Sequence, residues 1–231
     1  NAKQKDTRDL ISWARNDSND KLSPILQILS FLLPIITIAT FIIFLSVNIQ
    51  LSFISLLLLI IQVIIIATQA KKIHTSFNYT LIYKDSLSIY SILLSHIETK
   101  QFSSAYLTEN KNLLNNKTYR HASRAIKKLS GIVDLINMRN SSIHALVNFI
   151  TLWDLHCYRI LIKWKNNVSR DIQNWFKAIG TFEAMSSLSI IHHDNNNWCF
   201  PKLDTESYSI KGQEIGHPLI PQKERISNNF A

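Results

Sequence analysis

From Ser23 through Ala70 the chain runs for 48 residues without a charged side chain or a histidine, and on either side of that stretch charges return. As one helix it would extend about 72 Å, more than twice the roughly 30 Å hydrocarbon core of a bilayer. Divided at the polar Asn48-Ile49-Gln50 it gives two spans, 25–47 and 51–69. Each is close to the ~20 residues a crossing helix needs. Ser23-Pro24 supplies an N-cap and a first-turn proline, and Lys71-Lys72 closes the second span. The pattern predicts a two-helix transmembrane hairpin. The same residues could instead form a hairpin buried in a soluble bundle, but such cores rarely tolerate so long an uncharged run.

Cations flank the hairpin on both sides, Lys3, Lys5, Arg8, Arg15 and Lys21 before it and Lys71 and Lys72 after it, while the short turn has none. The positive-inside rule then places both ends in the cytoplasm and the turn outside. The expected location is an inner or cytoplasmic membrane, crossed twice, with the bulk of the chain cytoplasmic. A signal peptide fits poorly, because the apolar run is too long and follows a charged lead. Pro34 should kink the first span by freeing the carbonyl of Ser30. Folding the hairpin about Ile49 sets Gln62 beside Thr37, and a hydrogen bond between them would be worth roughly 0.6–2 kcal/mol. The plainer alternative is that Thr37 bonds its own helix and Gln62 meets a second protomer.

Beyond Lys72 the apolar period becomes helical, with helices predicted over 76–99, 103–114, 118–138, 142–167 and 170–195. In the third, Ala122, Ile126, Leu129, Val133 and Ile136 share one face, and Arg120, Arg124, Lys127 and Lys128 the other. That basic stripe suits the phosphates of nucleic acid or lipid, or is simply a solvated face; no aromatic interleaves it as a base-stacking platform would. The fourth is apolar nearly all round (Ile143, Leu146, Val147, Ile150, Trp153, Leu155, Tyr158, Ile160, Leu161, Trp164), which predicts a central helix packed by several neighbours. After Asn197 the texture changes: Trp198-Cys199-Phe200-Pro201 ends the helices, 207–211 alternates like a short strand, and Gly212, Gly216, Pro218 and Pro221 mark turns. The fold class predicted is therefore mainly α, a transmembrane hairpin followed by a helical bundle, with a short β segment near the C-terminus.

Composition narrows the chemistry. Lys+Arg 25 against Asp+Glu 16 gives a net charge of +9, which favours anionic partners. Two cysteines, Cys157 and Cys199, build no disulfide framework. The four glycines, Gly131, Gly180, Gly212 and Gly216, form neither G-x-x-x-x-G-K-[ST] nor G-x-G-x-x-G. Asp154, His156 and Cys157 are too close in sequence to converge on one metal from one helix, and His192-His193 reads as a helix C-terminal pair, so no metal site is assigned. No arrangement offers a nucleophile with a base, so no catalytic residue is assigned either. Asn78, Asn116, Asn140 and Asn167 begin Asn-x-Ser/Thr triplets, which matter only in a secreted segment. The lack of an initial Met and the stop at Ala231 are read as a piece of a longer protein.

The C-terminal stretch carries an ordered series: Phe182-Glu183-Ala184-Met185-Ser186-Ser187-Leu188-Ser189, then Phe200-Pro201, then Ile210-Lys211-Gly212-Gln213-Glu214-Ile215-Gly216-His217-Pro218-Leu219-Ile220, then Ile226-Ser227-Asn228-Asn229-Phe230. This series resembles the MutS family. There, a long core helix leads into an ATPase domain that opens with a strand, a His-Pro-Leu segment and a "V-x-N-D" segment, before the phosphate-binding loop. The resemblance covers about 75–231, and it is strongest in order and spacing from Gly180 to Phe230.

The resemblance implies core and lever helices over 71–200, and the start of a nucleotide-binding domain over 201–231, after the N-terminal segment 1–22 and the hairpin 23–70. It implies a dimeric, DNA-binding parent protein that uses ATP and Mg²⁺ as an ATPase, while residues 1–231 alone should not hydrolyse ATP. Carried over by position, Arg225, Ile226 and Asn228 are implied nucleotide neighbours. Arg225 replaces a common aromatic, Asn229 replaces the usual Asp, and the Phe-x-Glu motif of the mismatch reader is missing from the sequence. The branch implied is the membrane-attached one, whose helices pass nucleotide-driven movement onward, rather than a mismatch-repair enzyme proper. A membrane-anchored helical interaction or sensor scaffold without nucleotide chemistry is the alternative.

Overall fold

The computed structural model describes residues 7–16, 22–47, 52–203, 205 and 209–230. After α1 (Thr7–Arg15), helix α2 (Pro24–Val47) starts at the expected proline, and the Ser23 hydroxyl accepts the Leu26 amide at 3.3 Å. It packs along α3 (Ser52–Leu81), and 24–43 and 54–81 are each long and apolar enough to cross a membrane. The turn expected at Asn48–Gln50 lies outside the described residues, as do Lys3, Lys5 and Lys21. Only 22% and 17% of the most apolar windows of the two helices is buried, and Ile28, Ile35, Leu57 and Ile64 all face outward. A hairpin serving as a soluble core would hide these side chains; this one displays them. Lys71-Lys72 ends the apolar run without ending the helix, which continues for about two and a half further turns to Leu81.

The chain divides into two units, 1–185 and 186–231. In the first, the helix predicted over 76–99 is broken at Ile82-Tyr83, and its second part is α4 (Lys84–Thr99). Next come α5 (Ala105–Asn112) and a minimal antiparallel pair, β1 (Asn115–Asn116) with β2 (Arg120–His121). Helix α6 (Ala122–Asn137) packs on α4, and its expected apolar face (Ala122, Ile126, Leu129, Val133, Ile136) is buried in full. The Glu98 carboxylate accepts the Ser123 amide at 2.9 Å and also the Ser123 hydroxyl. A negative charge thus sits on the free N–H groups of the first turn of α6, where the helix dipole favours it.

The long central helix predicted over 142–167 is two helices. After a 3-10 turn (Met138–Asn140), α7 (His144–Thr151) and α8 (Trp153–Val168) meet at 76°. Between them Leu152 takes the left-handed conformation, φ 55 and ψ 38, while the Asn148 side chain accepts the Asp154 amide at 2.9 Å. Only α8 has the buried role expected: Leu155, Tyr158, Leu161 and Trp164 are core, and Trp164 Nε1 donates to the Ala125 carbonyl at 2.7 Å. In α7 no residue is buried. Helix α9 (Ile172–Asp194) is buried at Ile172, Trp175, Ala178 and Ile179, within its first half.

The second unit holds the last residues of α9 and an antiparallel pair, β3 (Gly212–Ile215) with β4 (Asn228–Phe230). The strand expected over 207–211 is displaced: Ser207 and Tyr208 lie outside the described residues, Ser209–Lys211 is irregular, and pairing begins at Gly212. Gly212 is thus a strand residue rather than a turn residue.

Candidate functional site

The hairpin joins the bundle through a belt of cations resting on aromatic rings. Phe31 of α2 has the Arg159 guanidinium 4.3 Å from its ring centroid and the His156 ring at 4.7 Å. Arg139 lies over Phe77 of α3 at 5.3 Å, and Lys72 of α3 lies 6.0 Å from the Tyr158 ring of α8. Cation–π contacts of this kind stabilise by about 0.5–2 kcal/mol each. Here they hold positive charge at one end of an apolar hairpin. Burial and then the neighbouring Arg159 charge push the His156 pKa below its ordinary value, which favours the neutral ring against Phe31.

Beside this belt is a cavity of about 380 Å³, bounded by α3 at Val63, Ile66 and Ile73 and by Phe149, Leu152 and Leu155. Its polar end is the Asp154 carboxylate, which takes His144 Nε2 at 3.0 Å and Arg139 Nε at 3.3 Å. Asp154, His156 and Cys157, adjacent in sequence, are therefore committed to different surroundings. Asp154 faces Arg139 and His144, His156 faces Phe31, and Cys157 is buried, its thiol pushed up to about 12 by burial and then by the Asp154 charge. Among the described residues no three His, Cys, Asp or Glu side chains cluster as a metal set.

Within the hairpin, Gln62 Nε2 donates to Thr37 Oγ1 at 2.8 Å, the pair expected from the fold about Ile49. Thr37 Oγ1 also donates to the Leu33 carbonyl at 2.7 Å, so the own-helix bond and the cross-helix bond coexist on one hydroxyl. Gln62 Oε1 is buried without a partner.

Of the basic stripe, Arg124, Lys127 and Lys128 stand exposed on α6. Arg120 does not belong to that helix: it lies in β2 with φ 68, two residues before α6 begins. The cause is Asn116, whose Oδ1 accepts the amides of Thr118 and Tyr119 at 2.9 and 2.8 Å and so turns the chain ahead of the helix.

In the second unit, Asn228 pairs with Ile215, and Asn229 Oδ1 accepts the Glu214 amide at 2.9 Å. Arg225 lies with its guanidinium 5.1 Å from the Trp198 ring centroid, and Ile226 is 82% exposed. A Cβ on Gly216 would stand 2.5 Å from Arg225 Cδ, so the glycine leaves room for that arginine to cross it. Arg225, Ile226 and Asn228 therefore share one short segment, with Arg225 already engaged. Gly131 and Gly180 lie inside α6 and α9, and Gly212 and Gly216 are covered by the side chains of Ile215 and Arg225; none forms a phosphate cradle.

The residues that sequence reasoning missed are the belt and Asn116. Arg139 lies among Asn and Ser residues and Arg159 shares its helix with Asp154, Lys163 and Lys165, so nothing local marks them, and their aromatic partners come from other helices. Comparison with protein-family models, with curated proteins and with solved structures finds no match.

Proposed function

We propose that this chain is the membrane anchor and helical core of a MutS-like ATPase, together with the opening of its nucleotide-binding domain. The observation that carries the reading is the hairpin of the second unit. The Gly-x-x-x-Gly-His-Pro-Leu segment and the Ile-Ser-Asn-Asn-Phe segment, neighbours in the ordered series, pair as antiparallel β3 and β4, the next regular elements after the long α9. Two further features support it. α3 is one continuous helix from the apolar hairpin into the bundle, and α9 is gripped in its first half only. Such helices are suited to carrying displacement between a membrane and an ATPase dimer, on DNA or another anionic ligand. By the positive-inside rule the cationic belt and both flanks are cytoplasmic, and the turn at 48–50 is outside.

The present residues supply at most the base side of a nucleotide site, through Ile226 and Asn228. Triphosphate binding needs a glycine loop of N–H donors, a Lys and Mg²⁺. The test is the natural continuation past Ala231, which should contain G-x-x-x-x-G-K-[ST] opening a helix. The chain extended through it should bind ATP, replacing that Lys should abolish binding, and Ile226→Asp should weaken it while sparing the fold. A continuation without such a loop rejects the proposal in favour of the membrane-anchored scaffold. Topology is checked separately in a Cys199→Ser background: a Cys at Asn48 should be labelled from outside intact cells, and one at Lys111 spared.

A further inference from the structure

Helix α7 is the one helix of the first unit beyond the hairpin in which no residue is buried, yet its outward face is aliphatic. Ile143, Leu146 and Ile150 recur at helical spacing with 64%, 61% and 37% of their surface exposed. Its inner side lines the cavity through His144, Asn148 and Phe149, facing Val63, Ile66, Gln69, Ala70 and Ile73 of α3. α7 thus stands level with the last turns of the apolar run, just before Lys71-Lys72, and it also touches α2. α7 packs on the same stretch of the hairpin whose Val63 and Ile64 are 47% and 55% exposed, and Val63 lines one cavity with Phe149, so exposed apolar side chains lie on both adjoining elements. The 76° bend at Leu152 turns α7 away from the axis of the buried α8, and the Asn148–Asp154 bond fixes that bend.

We propose that α7 is an interfacial helix, with Ile143, Leu146 and Ile150 resting in the headgroup–acyl boundary of the bilayer that α2 and α3 enter. This rests on the membrane reading above and adds a third lipid contact, placed over the cavity and directly linked to Asp154. An eight-residue helix has too little apolar area to hold a bilayer alone; packing on α2 and α3 supplies the attachment. The occupant is lipid rather than a second copy because α7 packs directly on the two helices that are long and apolar enough to enter the bilayer.

The experiment places single cysteines at Leu146, Ile60 and Lys128 in the Cys199→Ser protein, each carrying an environment-sensitive fluorophore, in phosphatidylcholine–phosphatidylglycerol vesicles. The Leu146 label should be blue-shifted and strongly quenched by lipid spin-labelled near the headgroup, and less by lipid spin-labelled in mid-chain. The Ile60 label should show the opposite preference, and the Lys128 label no quenching. A Leu146 label that behaves like Lys128 while Ile60 is quenched overturns the interfacial helix and leaves the spans intact. Absence of quenching at both Leu146 and Ile60 removes the membrane reading and this inference with it. An unquenched Leu146 label, together with disulfide-linked pairs formed on oxidation of the unlabelled Leu146→Cys protein, assigns the face to a second copy and overturns the proposal.

Discussion

The Gln62–Thr37 pair permits a test whose two halves should disagree. Thr37→Val removes the acceptor and leaves Gln62 Nε2 unpaired beside Gln62 Oε1, which already lacks a partner. The lost interhelical bond is worth about 0.6–1.7 kcal/mol in a membrane. Gln62→Leu loses the same bond, but it also removes the orphaned Oε1 and leaves Thr37 donating to Leu33. Leaving a buried acceptor unmade costs about 1–3 kcal/mol, so relieving that cost offsets the loss. The expectation is that Thr37→Val destabilises the hairpin by about 1 kcal/mol or more, whereas Gln62→Leu is nearly neutral or stabilising. The double variant should match Gln62→Leu. The assay is reversible unfolding in mixed micelles, read as a double-mutant cycle. Equal losses from both single variants, or additivity in the double variant, would refute the reasoning.

Two further outcomes follow from α8. With Cys157 buried and its thiol raised to about 12, a maleimide near neutral pH should modify only Cys199 in the native protein, and both cysteines after denaturation; mass spectrometry decides. The folded-state pKa of His156 lies below its unfolded value, so its contribution to stability is complete above about pH 6.5 and is lost as pH falls through the lower folded value. Melting temperature should therefore fall on acidification through that window, and His156→Gln should show a shallower fall.

How far the sequence could be read depended on which physical constraint acted at each place. Forty-eight uncharged positions have few solutions, and a hairpin folded at its one polar break sets Gln62 against Thr37 by counting alone. The buried face of α6 was equally legible, because one period served one environment. The α7–α8 break was not. An all-round apolar segment looks the same whether it is buried throughout or turns halfway from a core to an exposed face. Leu152 makes the turn with neither glycine nor proline to announce it. Arg120 was misplaced for a related reason: the helix start is set by side-chain bonds of Asn116, four residues upstream, and not by the apolar period. In the second unit a short β segment was foreseen, but its start slipped because pairing begins at Gly212 and not within 207–211.

Asn116 also yields the last prediction, since all four of its hydrogen-bonding positions are used. Besides accepting from Thr118 and Tyr119, its Nδ2 donates to the Asn167 carbonyl at 3.1 Å and to Asp171 Oδ2 at 2.6 Å. It is only 7% exposed, so this Asn-x-Thr triplet is a structural joint and not a glycan acceptor in the folded chain. The joint ties the β1–β2 turn to the last turn of α8 through Asn167 and to Asp171, the residue just before the gripped half of α9. Asn116→Ala removes four bonds and strands their partners, which should cost about 2–4 kcal/mol. Asn116→Asp keeps the accepting oxygen but loses the donor and sets a carboxylate against Asp171, so it should cost at least as much. Adding Asp171→Asn to Asn116→Asp restores a donor–acceptor pair and should recover part of the loss, which a mere packing defect would not allow. Denaturant unfolding in detergent measures all three. A loss under about 0.5 kcal/mol for Asn116→Ala, or no recovery in the double variant, would show that the joint does not anchor α9.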